Sequence, residues 1–181
     1  MRLFFCCLFT LGVFSANAQN ALGDSLKQQL IQDWERAKAY TQEYMDAMPA
    51  DKYGFQATDS MRSFAQQMLH LATANAGFAF IGLGATYPFT SPNFEKLPAL
   101  QNKDSVVYYV NTSYNTMINA LKKVDPATFG QTVSYILPGG KRTVTRLVWV
   151  MKAFEHQTHH RGQCTVYLRL LNIRPPSEKL F

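Results

Sequence analysis

The sequence predicts an all-α protein, one domain built as a four-helix bundle. Three observations lead there. Apolar residues recur at helical spacing through four separate stretches, near Leu22–Met48, Met61–Leu83, Asp104–Val124 and Thr143–Leu171. Prolines and glycines punctuate the gaps between them, and no internal repeat or low-complexity tract interrupts the pattern. With 181 residues, 47% of them hydrophobic, the chain can bury a core of its own and is too apolar for disorder.

The first residues stand outside this bundle. Arg2 supplies a positive start, Leu3 to Phe14 is an apolar run, and Ala16-Asn17-Ala18 offers the small residues that signal peptidase reads. The pattern predicts a secretory signal peptide over residues 1–18, cleaved before Gln19, and a periplasmic or secreted domain from residue 19 to residue 181. The run is short for a membrane span. Cys6 and Cys7 lie early within it rather than at a cleavage site, which argues against a lipoprotein. Cleavage leaves only Cys164, so no intramolecular disulfide staples the mature chain.

The first helix is expected from Leu22 to Met48, with Leu26, Leu30, Trp34, Ala37, Tyr44 and Met48 facing inward, Asp24 as N-cap and Pro49 as stop. After a connector, Thr58 or Asp59 is expected to cap a second helix through Met61, Phe64, Met68, Leu71, Phe78 and Ile81, ending at Gly82-Leu83-Gly84. His70 falls in its middle, followed on the same face by the small residues Ala74 and Gly77. Residues 84–102 carry Pro88, Pro92 and Pro98 and read as a long lid or packed surface loop. Asp104 to Val124 forms the third helix, stopped by Asp125-Pro126. Thr128 to Ile136 reads as a short strand or extended connection, and Pro138-Gly139-Gly140 as a turn without the pattern of a phosphate loop. The fourth helix is expected from Thr143 to Leu171, before Pro175-Pro176.

Net charge is +6, from 18 Lys and Arg against 12 Asp and Glu. The basic residues are scattered singly or in pairs such as Lys122-Lys123, with neither a basic stripe nor interleaved aromatics, so nucleic acid is not an expected partner.

The chemistry-bearing residues collect in the fourth helix. Three of the chain's four histidines, His156, His159 and His160, lie between Phe154 and Leu168. Residues four apart stack on one helical face, the usual way in which two imidazoles on a helix share a transition metal. Trp149, Ala153, His156, His160, Tyr167 and Leu171 form an inward row, whereas His159 shares a row with Lys152 and Glu155 and faces solvent. The spacing matches that of zincin peptidases, but Gln157 stands where their glutamate base would be, which excludes that chemistry. His70 is the natural third ligand, leaving a fourth position open on a tetrahedral ion.

His156-x-x-His159-His160-Arg161-Gly162-Gln163, then Val166-Tyr167-Leu168-Arg169 and Ile173-Arg174-Pro175-Pro176, closely resembles the C-terminal signature of the DinB family. Met61-Arg62-Ser63-Phe64-Ala65 through His70 and Asn75 resembles that family's second helix. The resemblance to these DinB/YfiT-like metalloenzymes implies an up-down-down-up course. It also implies a divalent metal, zinc or nickel, held by His70, His156 and His160. Characterised relatives include transferases and isomerases that use low-molecular-weight thiols of the cytoplasm, a compartment that the signal-like start of this chain does not match. Arg161 is expected at the surface, Gly162 at a close helix crossing, and Cys164 as a small buried core residue rather than a fourth ligand.

Two functions follow as expectations. One is an exported metal-dependent hydrolase or transferase acting on a small molecule. The other is a non-catalytic metal-binding bundle, a sensor or interaction module. No residue is singled out as catalytic, because no obvious general base accompanies the histidines. Expected partners are the small-molecule substrate and at most a second copy of the chain, with no stable membrane anchor after cleavage. Expressed with its own N-terminus, the mature protein should begin near Gln19 and fractionate outside the cytoplasm. Mass spectrometry that found Met1 to Ala18 intact on a soluble cytoplasmic product would refute the export reading.

Overall fold

The computed structural model describes the backbone of residues 4–91 and 93–181, and side chains from Ala21 onward, Pro92 excepted. The expected signal peptide and its cleavage site lie outside the fully described residues. The elements are α1 (Phe4–Ala47), α2 (Phe64–Leu83), α3 (Lys103–Lys123), β1 (Thr132–Leu137), β2 (Gly140–Thr145) and α4 (Arg146–Leu170), with short 3-10 turns in the connections. Among the described residues no helix is long and apolar enough to cross a membrane.

Side-chain pairs give the direction of each helix. Lys38 reaches Asn115, Asn111 donates to Gln42, and Lys27 donates to the Val124 carbonyl, so α1 and α3 run antiparallel. Gln67 meets Tyr167 at one end of α2 and Arg146 donates to the Gly82 carbonyl at the other, so α2 and α4 are antiparallel too. Trp34 packs edge-on to Phe154 and Tyr44 bonds Thr165, making α1 and α4 parallel. The course is up-down-down-up. The core between the helices is built from Trp34, Met45, Met68, Leu71, Tyr114 and Met117, all buried.

This course explains the long segment between α2 and α3. The two are parallel neighbours, so the chain must return along the full length of the bundle between them. It is a packed crossover rather than a free loop: Phe94 is buried and stacks on Tyr109 at 4.3 Å, with Phe89 against both rings.

Four element boundaries differ from the sequence expectation. α1 passes through Asp24 without interruption, so Asp24 caps nothing. α2 begins later than Thr58 or Asp59, because Ser63 and Gln66 form a reciprocal capping box: the Ser63 hydroxyl accepts from the Gln66 N–H and the Gln66 side chain accepts from that of Ser63. The connection before α4 is a hairpin rather than one strand, with Thr132 opposite Thr145 and Leu137 opposite Gly140. The residues Thr143 to Thr145, expected to open the fourth helix, close β2 instead, and the Thr145 hydroxyl caps α4. The hairpin is tied down at its base by Trp149 Nε1–H donating to the Val133 carbonyl.

The close helix crossing lies at Gly82 and not at Gly162. A Cβ on Gly82 would sit 2.6 Å from the Trp149 Cβ, whereas one on Gly162 would meet nothing within 4 Å. Gly82→Ala should therefore destabilise by about 1–3 kcal/mol through overpacking. Gly162→Ala should stabilise by about 0.8–1 kcal/mol, the helix-propensity difference at an open position. Thermal melts of the two variants check this; a Gly162→Ala protein melting below the parent would restore the crossing there.

Candidate metal centre

His70 comes from the middle of α2, and His156 and His160 from successive turns of α4. Antiparallel packing brings the three together, with ligand-capable nitrogens all within 4.8 Å of one another. His156 Nε2 and His160 Nε2 lie 3.2 Å apart. Two nitrogens on one tetrahedral zinc ion, each about 2.0–2.1 Å from it, stand about 3.3 Å apart, so the pair is already at ligand spacing. His159 is exposed and contacts Gln163 at 3.1 Å; its ring stands edge-on to that of His160 at 4.9 Å, but it is not one of the three converging ligand groups.

Hydrogen bonds set the free nitrogens. His160 Nδ1–H donates to Gln67 Oε1 at 2.8 Å, Gln67 Nε2–H donates to the Tyr167 hydroxyl at 3.3 Å, and that hydroxyl donates to the Arg62 carbonyl. This chain fixes the Gln67 amide and leaves His160 Nε2 bare. His70 Nδ1–H donates to Glu95 Oε2 at 2.6 Å, which leaves His70 Nε2 bare as well. A carboxylate behind an imidazole orients it and raises its basicity as a ligand. Arg62 Nη2 contacts the other oxygen of Glu95 at 3.4 Å, and Gln101 donates to the Glu95 carbonyl, holding the crossover in register. His156 Nδ1 is buried with no partner among the described residues.

The charges point the same way. Burial pushes the His156 imidazole down to about 4, with His70, His159 and Arg62 adding to the effect. Burial pushes His160 down to about 3, helped by His156 and His70. Burial alone would raise the Glu95 carboxyl, but the hydrogen bond from His70, with the Arg62 guanidinium, holds it below its usual range. His156 and His160, held neutral by burial, converge with His70 on one point beside a retained carboxylate, a donor set suited to a divalent cation. The one departure is His156 Nδ1, which lacks the usual outer partner of a ligating imidazole.

A family model for the DinB family matches residues 18–179. The chain belongs to the DinB family. Its fold is similar to that of a DinB-like protein from Bacillus cereus ATCC 10987, at a TM-score of 0.70 and 18% identity over 84% of this chain and 97% of that one. A DinB-like protein from Bacillus subtilis has a TM-score of 0.61 at 19% identity, covering 84% of this chain and 96% of that one. A comparison with curated proteins found no match. The four-helix DinB fold read from the sequence is thus the observed one, and it carries a three-histidine cluster that could hold a metal ion.

Other residues singled out in the sequence fall elsewhere. Cys164 is fully buried in the core, where burial raises its thiol far above the usual range. Gln157 is buried too and turns toward α1 and α3, accepting from Tyr114 and Arg161 at 2.8 Å each. Arg161, expected at the surface, is 8% exposed and lies over the Tyr40 ring at 4.5 Å. α4 is buried against α1 as well as α2, and this second buried face encloses the guanidinium. Among the large aromatics, Trp34, Tyr114 and Tyr167 are core, and Phe78 and Phe80 line a cavity at the histidines. Glu95 and Gln67 were missed. Gln67 was findable, since it sits three residues before His70 on a helix. Glu95 lies in an aperiodic segment and left no such signal.

His70→Ala, His156→Ala and His160→Ala should each abolish stoichiometric binding of zinc or nickel. His159→Ala should leave it intact, and Glu95→Gln should weaken it about 10–100-fold. Metal content and affinity of the variants decide this; retention by His160→Ala with loss by His159→Ala would redraw the site. The histidine pair also fixes the sign of a pH effect. An unfolded histidine takes up its proton near about 6.5, whereas native His156 and His160 do so only near about 4 and about 3. In that window the unfolded chain binds more protons, so stability falls as pH falls. The melting temperature of chelated protein should therefore drop from pH 7 to pH 4.5, and less so in the His156→Gln/His160→Gln variant.

Proposed function

We propose that this DinB protein is an exported metalloenzyme, a metal-dependent hydrolase or transferase that acts on a small molecule. His70, His156 and His160 would hold a divalent transition metal, zinc or nickel. The observation that carries the reading is the pair of outer hydrogen bonds, Glu95 behind His70 and Gln67 behind His160, which turn bare Nε2 atoms to a common point.

Bound there, a divalent ion would supply Lewis-acid polarisation and favour a deprotonated nucleophile. The chain's own contributions are orientation and exclusion of water. Glu95 holds the His70 ring, Gln67 holds the His160 ring, and Phe78 packs edge-on to His156 at 6.1 Å on the cavity side. Export rests on the signal-like start, and the scattered charge disfavours nucleic acid as a partner.

A second reading, a metal-binding bundle without catalysis, is favoured by one observation. Both carboxylate oxygens of Glu95 are engaged, by His70 and by Arg62, so among the described residues no free carboxylate base stands beside the cluster. Activity decides between the two. Purified protein loaded with zinc or nickel should turn over at least one member of a panel of thiol adducts, small amides and esters. That turnover should vanish on chelation and return with the ion. Stoichiometric metal without turnover across the panel would support the non-catalytic module.

A further inference from the structure

A cavity of about 670 Å³ opens beside the cluster, within the range that encloses a small organic ligand. It follows α2 from His70 to Ile81, a rise of roughly 16 Å at 1.5 Å per residue. His70 and His156 line its near end, and His160 is buried behind them. The hairpin closes the far end, where Tyr135 stands edge-on to Phe80 at 6.3 Å. A group that reaches an ion on the three histidines from this side leaves the rest of its molecule in the cavity. The cluster therefore acts on the head of a ligand, and the walls beyond it act on the body.

Those walls are apolar. Ala74 and Gly77 leave the space, and Phe78, Ile81, Phe89 and Leu137 surround it. Past the two histidines, no Asp, Glu, Lys or Arg is among the described lining residues. The polar groups give a ligand body little to bond. The Thr73 hydroxyl is committed to the Leu69 carbonyl, the Tyr87 hydroxyl is buried out of an occupant's reach, and water competes at the exposed Thr90 and Tyr135. A polar body would give up its hydration there without replacement, whereas an apolar one gains by leaving water. At the far end Phe80 and Ile136 are 45% and 76% exposed, large apolar side chains that such a body would cover.

We propose that this cavity selects ligands with an apolar body and a single metal-ligating head, the head at the histidine cluster and the body along α2 toward the hairpin. Taken with the metal-dependent function proposed above, on which this step rests, the substrates are esters or amides of apolar acyl groups, with the carbonyl as head.

Hydroxamates test this, because their oxygens ligate zinc and stand in for the carbonyl. Acetohydroxamate, hexanohydroxamate and gluconohydroxamate share that head and differ in body. Each is titrated by calorimetry into the zinc-loaded full chain. One buried methylene strengthens binding by up to about fourfold, so hexanohydroxamate should bind at least about tenfold more tightly than acetohydroxamate. Gluconohydroxamate, a chain of the same length covered in hydroxyls, should bind no more tightly than acetohydroxamate. Chelation should abolish binding of all three. Gly77→Leu, whose Cβ meets no atom within 4 Å, should fill the cavity and remove the advantage of the hexanoyl chain, with acetohydroxamate affinity and zinc stoichiometry at parent values. Ile136→Ser, at an exposed position on the hairpin, should reduce the same advantage from a second wall.

Equal affinity for the acetyl and hexanoyl compounds, or for the hexanoyl and gluconoyl ones, would overturn the proposal and leave the metal site standing. A chain-length preference that neither variant moves would do the same. Failure to take up stoichiometric zinc would overturn both. Length-selective binding without turnover of any hexanoyl ester or amide would uphold the binding site and overturn the metalloenzyme reading.

Discussion

Where α2 crosses α4, Gly82 lets the Trp149 side chain occupy the place of a missing Cβ. Removing one methyl brings the two backbones closer at that end than any side chain would allow. At the other end Gln67, His160 and Tyr167 join the same two helices by hydrogen bonds. Between these fixed points the helices have little freedom to slide, and His70 meets the α4 pair because of it. A transition metal tolerates errors of only a few tenths of an ångström in its ligands, so helix approach is the constraint that everything at the cluster inherits. The Trp149 indole also bonds Val133, so the same residue anchors the hairpin that walls the cavity.

The second constraint is topological. Parallel neighbours in a bundle cannot be joined by a tight turn, so the chain between α2 and α3 must travel the length of the molecule. That obligatory length would be a liability if it stayed loose. Here it is packed by Phe89, Phe94 and Tyr109 and then used: Tyr87 faces the cavity and Glu95 reaches His70.

How much of this could be read in advance follows from where the information lies. The four helices, the inward row of α4 and the separation of His159 from His160 were legible because helical period is local and geometric. The start of α2 was misread because Thr58 and Asp59 are plausible caps in isolation, and only Ser63 has its Gln66 partner three residues on. The hairpin was half seen: β2 is short and polar and merges into the helix that follows. Gly82 and Gly162 show a different limit. Each is a glycine in a helix, and which one touches a neighbour depends on a partner distant in sequence. Arg161 was misplaced for the same reason, since a second buried face on α4 exists only once α1 is packed. Glu95 lies beyond any periodic argument, and tertiary structure alone assigns it to His70.

One segment, the crossover, carries both a cavity wall and the support of a histidine. Tyr87 and Glu95 are eight residues apart in sequence, and Phe89 and Phe94 clamp the stretch between them against Tyr109. Whatever restrains one end of this segment lowers the entropy still to be lost at the other. A molecule held in the cavity against this segment and an ion held at His70 would therefore be coupled. By reciprocity each would strengthen the other's affinity by the same factor. In such a bundle the connecting chain is a shared element of two equilibria, and cooperativity between them needs no movement of the helices.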